Sequence, residues 1–314
     1  LNSRCATDFS DIRFADEDGV FYNFWIESKT DSDVAVVLVN VPTIPASPAT
    51  TSFELWYGNL TAGSSYKVSL LGDFHYSSVG YDTYSTGPLT WLDDLETRNA
   101  TFDPAFVILL GDLVSAANNT VLTSDLTAVR NKYATLSHPR LLINGNHEFD
   151  YLTLAQYCTI FSDGFLEKLP NKAFGSCDIG DYHCIELDAT YSNVTPYAHG
   201  SSIAGYPSEF HVPDGTDGSV DELGWLRKDL AATDKKTLVF CHYSLSEIGG
   251  GYWILSDGIG RVDNRAEIRT ILEESGKVVG VFGGHIHRNC WMVINGIPYV
   301  HSTVYNDAVS ENIV

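Results

Sequence analysis

Five short apolar runs, spaced from Val68 to Phe282, each stop at a glycine, a histidine or an oxygen-bearing side chain. No other feature of this sequence constrains its fold as strongly. The first, Val68 to Leu71, breaks at Gly72 and is followed by Asp73 and His75. The second, Phe106 to Leu110, ends in Gly111-Asp112, and the third, Arg140 to Ile143, ends in Asn144-Gly145-Asn146-His147-Glu148. The fourth, Thr237 to Cys241, ends at His242, and the fifth, Val278 to Phe282, ends in Gly283-Gly284-His285-Ile286-His287. Continuous apolar runs of this length read as strands buried on both faces. A single Asp-x-His pair is more often a turn carboxylate beside a surface histidine than the start of a metal site. Five such endings together point to one crevice, because α/β sheets gather their sites at the carboxyl edge of the strands.

Taken in order, Asp73-x-His75, Gly111-Asp112, Gly145-Asn146-His147-Glu148, His242 and Gly284-His285-x-His287 resemble the calcineurin-like metallophosphoesterase superfamily, from about Tyr66 to the end of the chain. The resemblance implies an α/β fold, a two-sheet αββα sandwich, with two metal ions at one end. It implies that Asp73, His75 and His287 hold one ion, that Asn146, His242 and His285 hold the other, and that Asp112 bridges them. A carboxylate can give one oxygen to each of two cations about 3.5 Å apart. Mixed nitrogen and oxygen donors without a thiolate suit Mn, Fe or Zn, as divalent or trivalent ions. The implied reaction is hydrolysis of phosphomonoesters or phosphodiesters by a hydroxide shared between the ions, with His147 as the catalytic residue at the leaving-group oxygen. Many relatives carry a second Asp three residues after the bridging one, paired with the histidine equivalent to His147. Ser115 stands there in this chain, so either Glu148 or another carboxylate orients His147, or its role is purely electrostatic.

Composition limits the alternatives. The chain has 314 residues with 44% hydrophobic content, enough for a substantial core, and no apolar run of membrane-spanning length. A net charge of −21 disfavours general affinity for nucleic acid or anionic membrane, which argues against a nuclease reading of the same motifs. Six cysteines occur without a Cys-x-x-Cys pair, so a thiolate zinc site is not expected. Cys177 and Cys184 flank Ile179-Gly180-Asp181-Tyr182, which reads as a two-residue hairpin turn opposing the two sulfurs, with Cys158 a competing disulfide partner. Sequons at Asn59, Asn99, Asn118 and Asn193 permit an extracellular, glycosylated protein.

Residues 1 to 63 read differently, as an all-β segment with β-branched and aromatic runs and no helix pattern. Asp11 to Gly19, Phe24-Trp25, Val39-Asn40-Val41-Pro42 and Leu55 to Asn59 resemble an uncharacterised β-sandwich module of archaeal and bacterial surface proteins. In that module the strands begin earlier, which together with the absence of an initial methionine suggests a chain starting inside a domain. The carboxyl end reads as clipped too, since relatives usually continue with one more strand. A location outside the cell or on its surface follows from the resemblance, with further domains of a longer precursor or self-assembly as expected partnerships beside the small phosphoester. Thr61 to Ser65 is the expected connector to a phosphoesterase domain over 64–314. A structural or adhesive component using that domain as a scaffold is the competing class.

Within the second domain, helices are expected over Pro88–Arg98, Leu122–Leu136, Asp150–Phe161, Asp221–Ala232 and Ala266–Glu274, and a closing hairpin turns at Asn295-Gly296. Residues 76–86 either wall the pocket or form a plain surface loop. Residues 189–218 read as a lid, with His199 and His211 as surface residues rather than ligands.

Overall fold

The computed structural model describes residues 9, 12–15, 21–22, 24–30, 34–39 and 54–56, and then 67–80, 89–161, 169, 171–192, 199, 210–216, 220–247, 261–287, 289–302 and 312–313. The chain divides into two compact units, Leu1–Tyr66 and Lys67–Val314.

In the first unit, β1 (Arg13–Ala15) pairs antiparallel with β2 (Phe21–Tyr22) on one side and with a later strand, β5 (Glu54–Trp56), on the other. Between them in sequence, β3 (Phe24–Thr30) and β4 (Val34–Val39) form an antiparallel hairpin. Alternation sends Phe24, Ile26, Val37 and Val39 toward Phe9, Ile12 and Phe14, while Trp25, Val36 and Leu38 face outward.

The second unit is layered. A four-stranded sheet holds β6 (Val68–Leu71), β7 (Phe106–Leu109) and β8 (Arg140–Leu142) in parallel, with β17 (Asn312–Ile313) antiparallel at the β6 edge. The six-stranded sheet runs β15 (Cys290–Ile294), β16 (Ile297–His301), β14 (Val278–Gly283), β13 (Lys236–Cys241), β10 (Tyr182–Leu187), β9 (Gly175–Ile179). Its four middle strands are parallel, and β15 and β9 pair antiparallel at the edges. Period-two alternation explains why β7 is apolar throughout. Phe106, Ile108 and Leu110 pack between the sheets against Leu238, Phe240 and Phe282, whereas Val107 and Leu109 pack outward against helix residues Leu92, Leu126 and Val129. Those helices are α1 (Thr90–Phe102) and α2 (Asn119–Tyr133), joined by α3 (Leu154–Ile160). On the far face, α4 (Glu222–Ala232) and α5 (Arg265–Ser275) bury Leu226, Leu230, Ile268 and Leu272 against Val239 and Val281. Helix, sheet, sheet, helix is therefore the order of layers. Each expected helix has a counterpart, with ends shifted by a few residues. A short strand pair, β11 (Tyr191–Ser192) and β12 (Phe210–His211), borders the second core.

Both hairpin readings hold. Ile179 pairs with Tyr182 across a turn in which Gly180 has φ 56°, and Asn295 and Gly296 have φ 49° and 84°, the positive values a type I′ turn needs. Cys177 lies directly opposite Cys184, yet both are thiols, and no disulfide joins the described cysteines. The sequon at Asn99 is closed to modification, since the side chain is buried and accepts a hydrogen bond from Ser69 Oγ at 2.9 Å.

The β9–β10 hairpin carries a pH-dependent contact. His183 Nδ1 lies 2.8 Å from Asp178 Oδ1 and Nε2 lies 2.8 Å from Asp229 Oδ2. Burial disfavours the charged ring, but the bonds to Asp229 and Asp178 overcome it and raise the pKa. A raised folded-state pKa gives stability that is complete below the unfolded value of about 6.5 and is lost as pH rises through the folded one. His183→Gln is therefore expected to lower the melting temperature more at about pH 5.5 than at about pH 9. Equal losses at both values would contradict this account.

Candidate metal centre

The five strand ends meet. Asp73 and His75 follow β6, Asp112 follows β7, Asn146 and His147 follow β8, His242 follows β13, and His285 and His287 follow β14. Backbone bonds tie the loops within each sheet: Asp73 N donates to Gly111 O and His75 N to Asp112 O in one, and Gly284 N to His242 O in the other. Two further bonds join the sheets at this edge. His285 N donates to both carboxylate oxygens of Asp73 at 2.9 and 3.0 Å, and His242 Nδ1 lies 2.6 Å from Leu110 O.

Oxygen Oδ2 of Asp112 is the focus, with His242 Nε2 at 3.2 Å, His75 Nε2 at 3.9 Å and His147 Nε2 at 4.0 Å. The other oxygen, Oδ1, accepts from His147 N at 3.0 Å. The two oxygens of Asp112 thus differ: Oδ1 accepts a backbone N–H, and Oδ2 is the one set beside the imidazole Nε2 atoms of His242, His75 and His147. Around Asp73, His287 Nε2 lies 3.3 Å from Oδ1 and 3.3 Å from His75 Nε2. His285 Nδ1 lies 3.3 Å from His242 Nε2. Asp73, His75 and His287 form one group able to hold a cation, and Asp112, His242 and His285 another; a third, His75, Asp112 and His147, overlaps both. Asn146 is buried beside them, its Oδ1 accepting from Tyr243 Oη at 2.9 Å, while Nδ2 has no partner among the described residues.

The local backbone is strained for this purpose. Asp73, His75, Asp112, His285 and His287 have φ of 55°, 48°, 50°, 64° and 53°. Side chains rarely adopt such values, at about 1–3 kcal/mol each, and such residues cluster at functional sites. Glycines next to them are there for space. A Cβ on Gly145 would lie 2.2 Å from Asp112 Oδ1, and one on Gly284 would lie 2.6 Å from Asp73 Oδ2.

Electrostatics follow from packing carboxylates and imidazoles out of water. Burial would raise Asp112, yet His242 and His147 hold it well below the usual carboxylate range. Burial likewise opposes the lowering of Asp73, which His287 brings about. Where burial dominates, His285 falls to about 3 and His75 to about 4, so these rings keep neutral nitrogens. Burial also opposes the charging of His242, but Asp112, Asp73 and the Leu110 carbonyl together carry it the other way, to about 9. A carbonyl can only accept, so Leu110 O assigns the hydrogen to His242 Nδ1 and turns Nε2 to the site.

One side-chain role left open by the sequence, that of orienting His147, is filled in the structure by a carboxylate other than Glu148. His147 Nδ1 lies 2.9 Å from Asp150 Oδ2, so Asp150 is the orienting carboxylate; its signal was the three-residue spacing within one turn, His147–Phe149 being a 3-10 turn. Ser115 serves His75 instead, with Oγ 2.8 Å from Nδ1. Burial resists the charging of His147, but Asp112 and Asp150 raise it to about 9.

Glu148 is a buried clamp. Its Oε2 accepts from Asp112 N at 3.1 Å and Gly145 N at 2.6 Å, and its Oε1 from Leu113 N at 2.7 Å. Glu148→Ala would orphan three buried N–H groups at about 1–3 kcal/mol each. A loss of about 3 kcal/mol or more in denaturant unfolding is expected, and an unchanged midpoint would refute the clamp.

His199 and His211 are not surface residues. The His199 ring stacks on Phe149 at 4.0 Å with Nε2 2.9 Å from buried Asp188 Oδ2, and His211 is buried with Nδ1 2.6 Å from Asp263 Oδ1. Their carboxylate partners come from other segments, which a linear reading cannot pair. Residues 81–86, read as either a pocket wall or a plain surface loop, and 193–198, 200–209 and 217–218, read as parts of a lid, lie outside the described residues.

Fold and site together define an αββα protein with overlapping histidine–carboxylate groups that could hold metal ions. Residues 66–289 match the family model for calcineurin-like phosphoesterases, and the chain belongs to that family. Residues 8–83 match a domain of unknown function, DUF2341. No curated protein matches the chain with significance. Similar solved structures include a dimetal phosphatase from Danio rerio, with 14% identity and TM-score 0.55, covering 77% of this chain and 88% of that one. A purple acid phosphatase from yellow lupin (Lupinus luteus) seeds has 15% identity and TM-score 0.50, covering 98% and 63%. GAP50, the anchor in the inner membrane complex of Plasmodium, has 12% identity and TM-score 0.50, covering 76% and 71%. Identities this low speak to the fold alone.

Proposed function

We propose that this chain hydrolyses small phosphomonoesters or phosphodiesters at a two-cation centre, with Asp73, His75 and His287 holding one ion, Asn146, His242 and His285 the other, and Asp112 shared. The observation that carries this reading is the convergence of three imidazole Nε2 atoms on Asp112 Oδ2 within 4.0 Å. The donors fit transition metals: four imidazoles, two carboxylates and an amide, without thiolate. When bound, ions such as Mn, Fe or Zn would supply the Lewis acidity that activates water and offsets charge on the phosphoryl oxygens.

The chain's own groups do the rest. Asp150 fixes the His147 ring by Nδ1, leaving Nε2 to give a proton to the departing ester oxygen. Glu148 holds the Asp112 and Asn146 loops in mutual register through backbone bonds. His285 N, donating to Asp73, keeps the two sheets' contributions together.

Metal analysis of the purified protein, with turnover of p-nitrophenyl phosphate and bis-p-nitrophenyl phosphate with and without added Mn, tests the reading. Two ions per chain and Mn-stimulated hydrolysis of at least one substrate are expected. A protein that takes up no metal and hydrolyses neither would favour the scaffold class instead.

A further inference from the structure

We infer that Tyr243 is a positioning residue whose phenol oxygen sets the orientation of the Asn146 amide toward the cation centre; this rests on the two-cation reading above. Tyr243 and Asn146 are each 1% exposed, so no solvent competes for their polar atoms. In the structure Tyr243 Oη donates to Asn146 Oδ1 at 2.9 Å, and Asn146 Nδ2 is buried without a partner among the described residues. Buried amide hydrogens are rarely left unsatisfied. The amide nitrogen has no lone pair to offer a cation, whereas the oxygen has two.

A half-turn of the amide resolves both facts, because its two ends have nearly the same shape. Oδ1 then faces where Nδ2 now lies, and Nδ2 donates to Tyr243 Oη. A phenol both donates and accepts, so it can hold either orientation. Tyr243 also lies with its ring 4.4 Å from His285 and 5.0 Å from His242, which precedes it. One buried side chain thus touches all three residues proposed to hold the second ion. Phe210 stacks on its other side at 3.7 Å and keeps the ring from turning away.

Tyr243→Phe isolates the hydroxyl, since the ring and its stacking remain. Titration of the metal-free protein with Mn, followed by calorimetry and by metal content after dialysis, should show one of two sites weakened about 10- to 100-fold and the other unchanged. Asn146→Ala should weaken the same site, and Tyr243→Phe should add no further loss on that background. Asn146→Asp offers oxygen at both ends, so in that background Tyr243→Phe should have no effect on affinity. Two wild-type-like sites in Tyr243→Phe, or a full additional loss on Asn146→Ala, would overturn the role of Tyr243 while leaving the two-cation reading intact. A wild-type protein that binds no pair of ions would overturn that reading first, before any variant is compared.

Discussion

Replacing Asp112 with asparagine is expected to lower phosphoester turnover by roughly three orders of magnitude or more, about 4 kcal/mol in the barrier, and to reduce bound metal from two ions per chain to at most one. The physical reason is the asymmetry of its two oxygens. Oδ1 is committed to His147 N, and Oδ2 is the one negative atom that faces His75, His147 and His242 together. Asparagine keeps the shape but removes the charge. Metal content and initial rates measured on the same sample decide the matter; two retained ions with undiminished turnover would mean that Asp112 bridges nothing.

For His147→Ala, the expected result is a fall in kcat of about 10²- to 10⁴-fold with metal content unchanged. The fall should be larger for an alkyl phosphoester than for a p-nitrophenyl ester, because a poor leaving group depends on being protonated and a good one does not. His147 suits that role geometrically, with Nδ1 fixed by Asp150 and Nε2 4.0 Å from Asp112 Oδ2. It also belongs to a group with His75 and Asp112 that could hold an ion. Loss of one ion in His147→Ala would therefore reassign the residue as a ligand, and equal losses for both substrates would remove it from proton transfer. Asp150→Asn should reproduce the leaving-group dependence at a smaller size, about 10-fold, since it alters the orientation of the ring rather than its presence.

The apolar runs marked the strands as buried on both faces, while the αββα layering was implied by the resemblance; β7 shows the physical reason for it, since a strand apolar on both faces needs a layer on each side. Turn chemistry carried the hairpins, as Asn295-Gly296 shows with positive φ at both positions. What the resemblance suggested of the site was a set of residues, and the geometry brings these into one cluster. Asp150 escaped notice because its role depends on the short 3-10 turn that stacks it on His147. His199 and His211 were misread as surface residues because Asp188 and Asp263 reach them through folding, not through proximity in sequence.

By itself the sequence determined which donors exist, in what order they leave their strands, and that those strands must be buried. The left-handed backbone at Asp73, His75, Asp112, His285 and His287 was decided by the tertiary structure. So was the choice of which Asp112 oxygen meets the histidines, and the bond between Tyr243 and Asn146. The reason is physical: apolar periodicity acts over a few residues and survives in linear text, whereas a hydrogen bond between groups 97 positions apart exists only after two sheets have packed and excluded water.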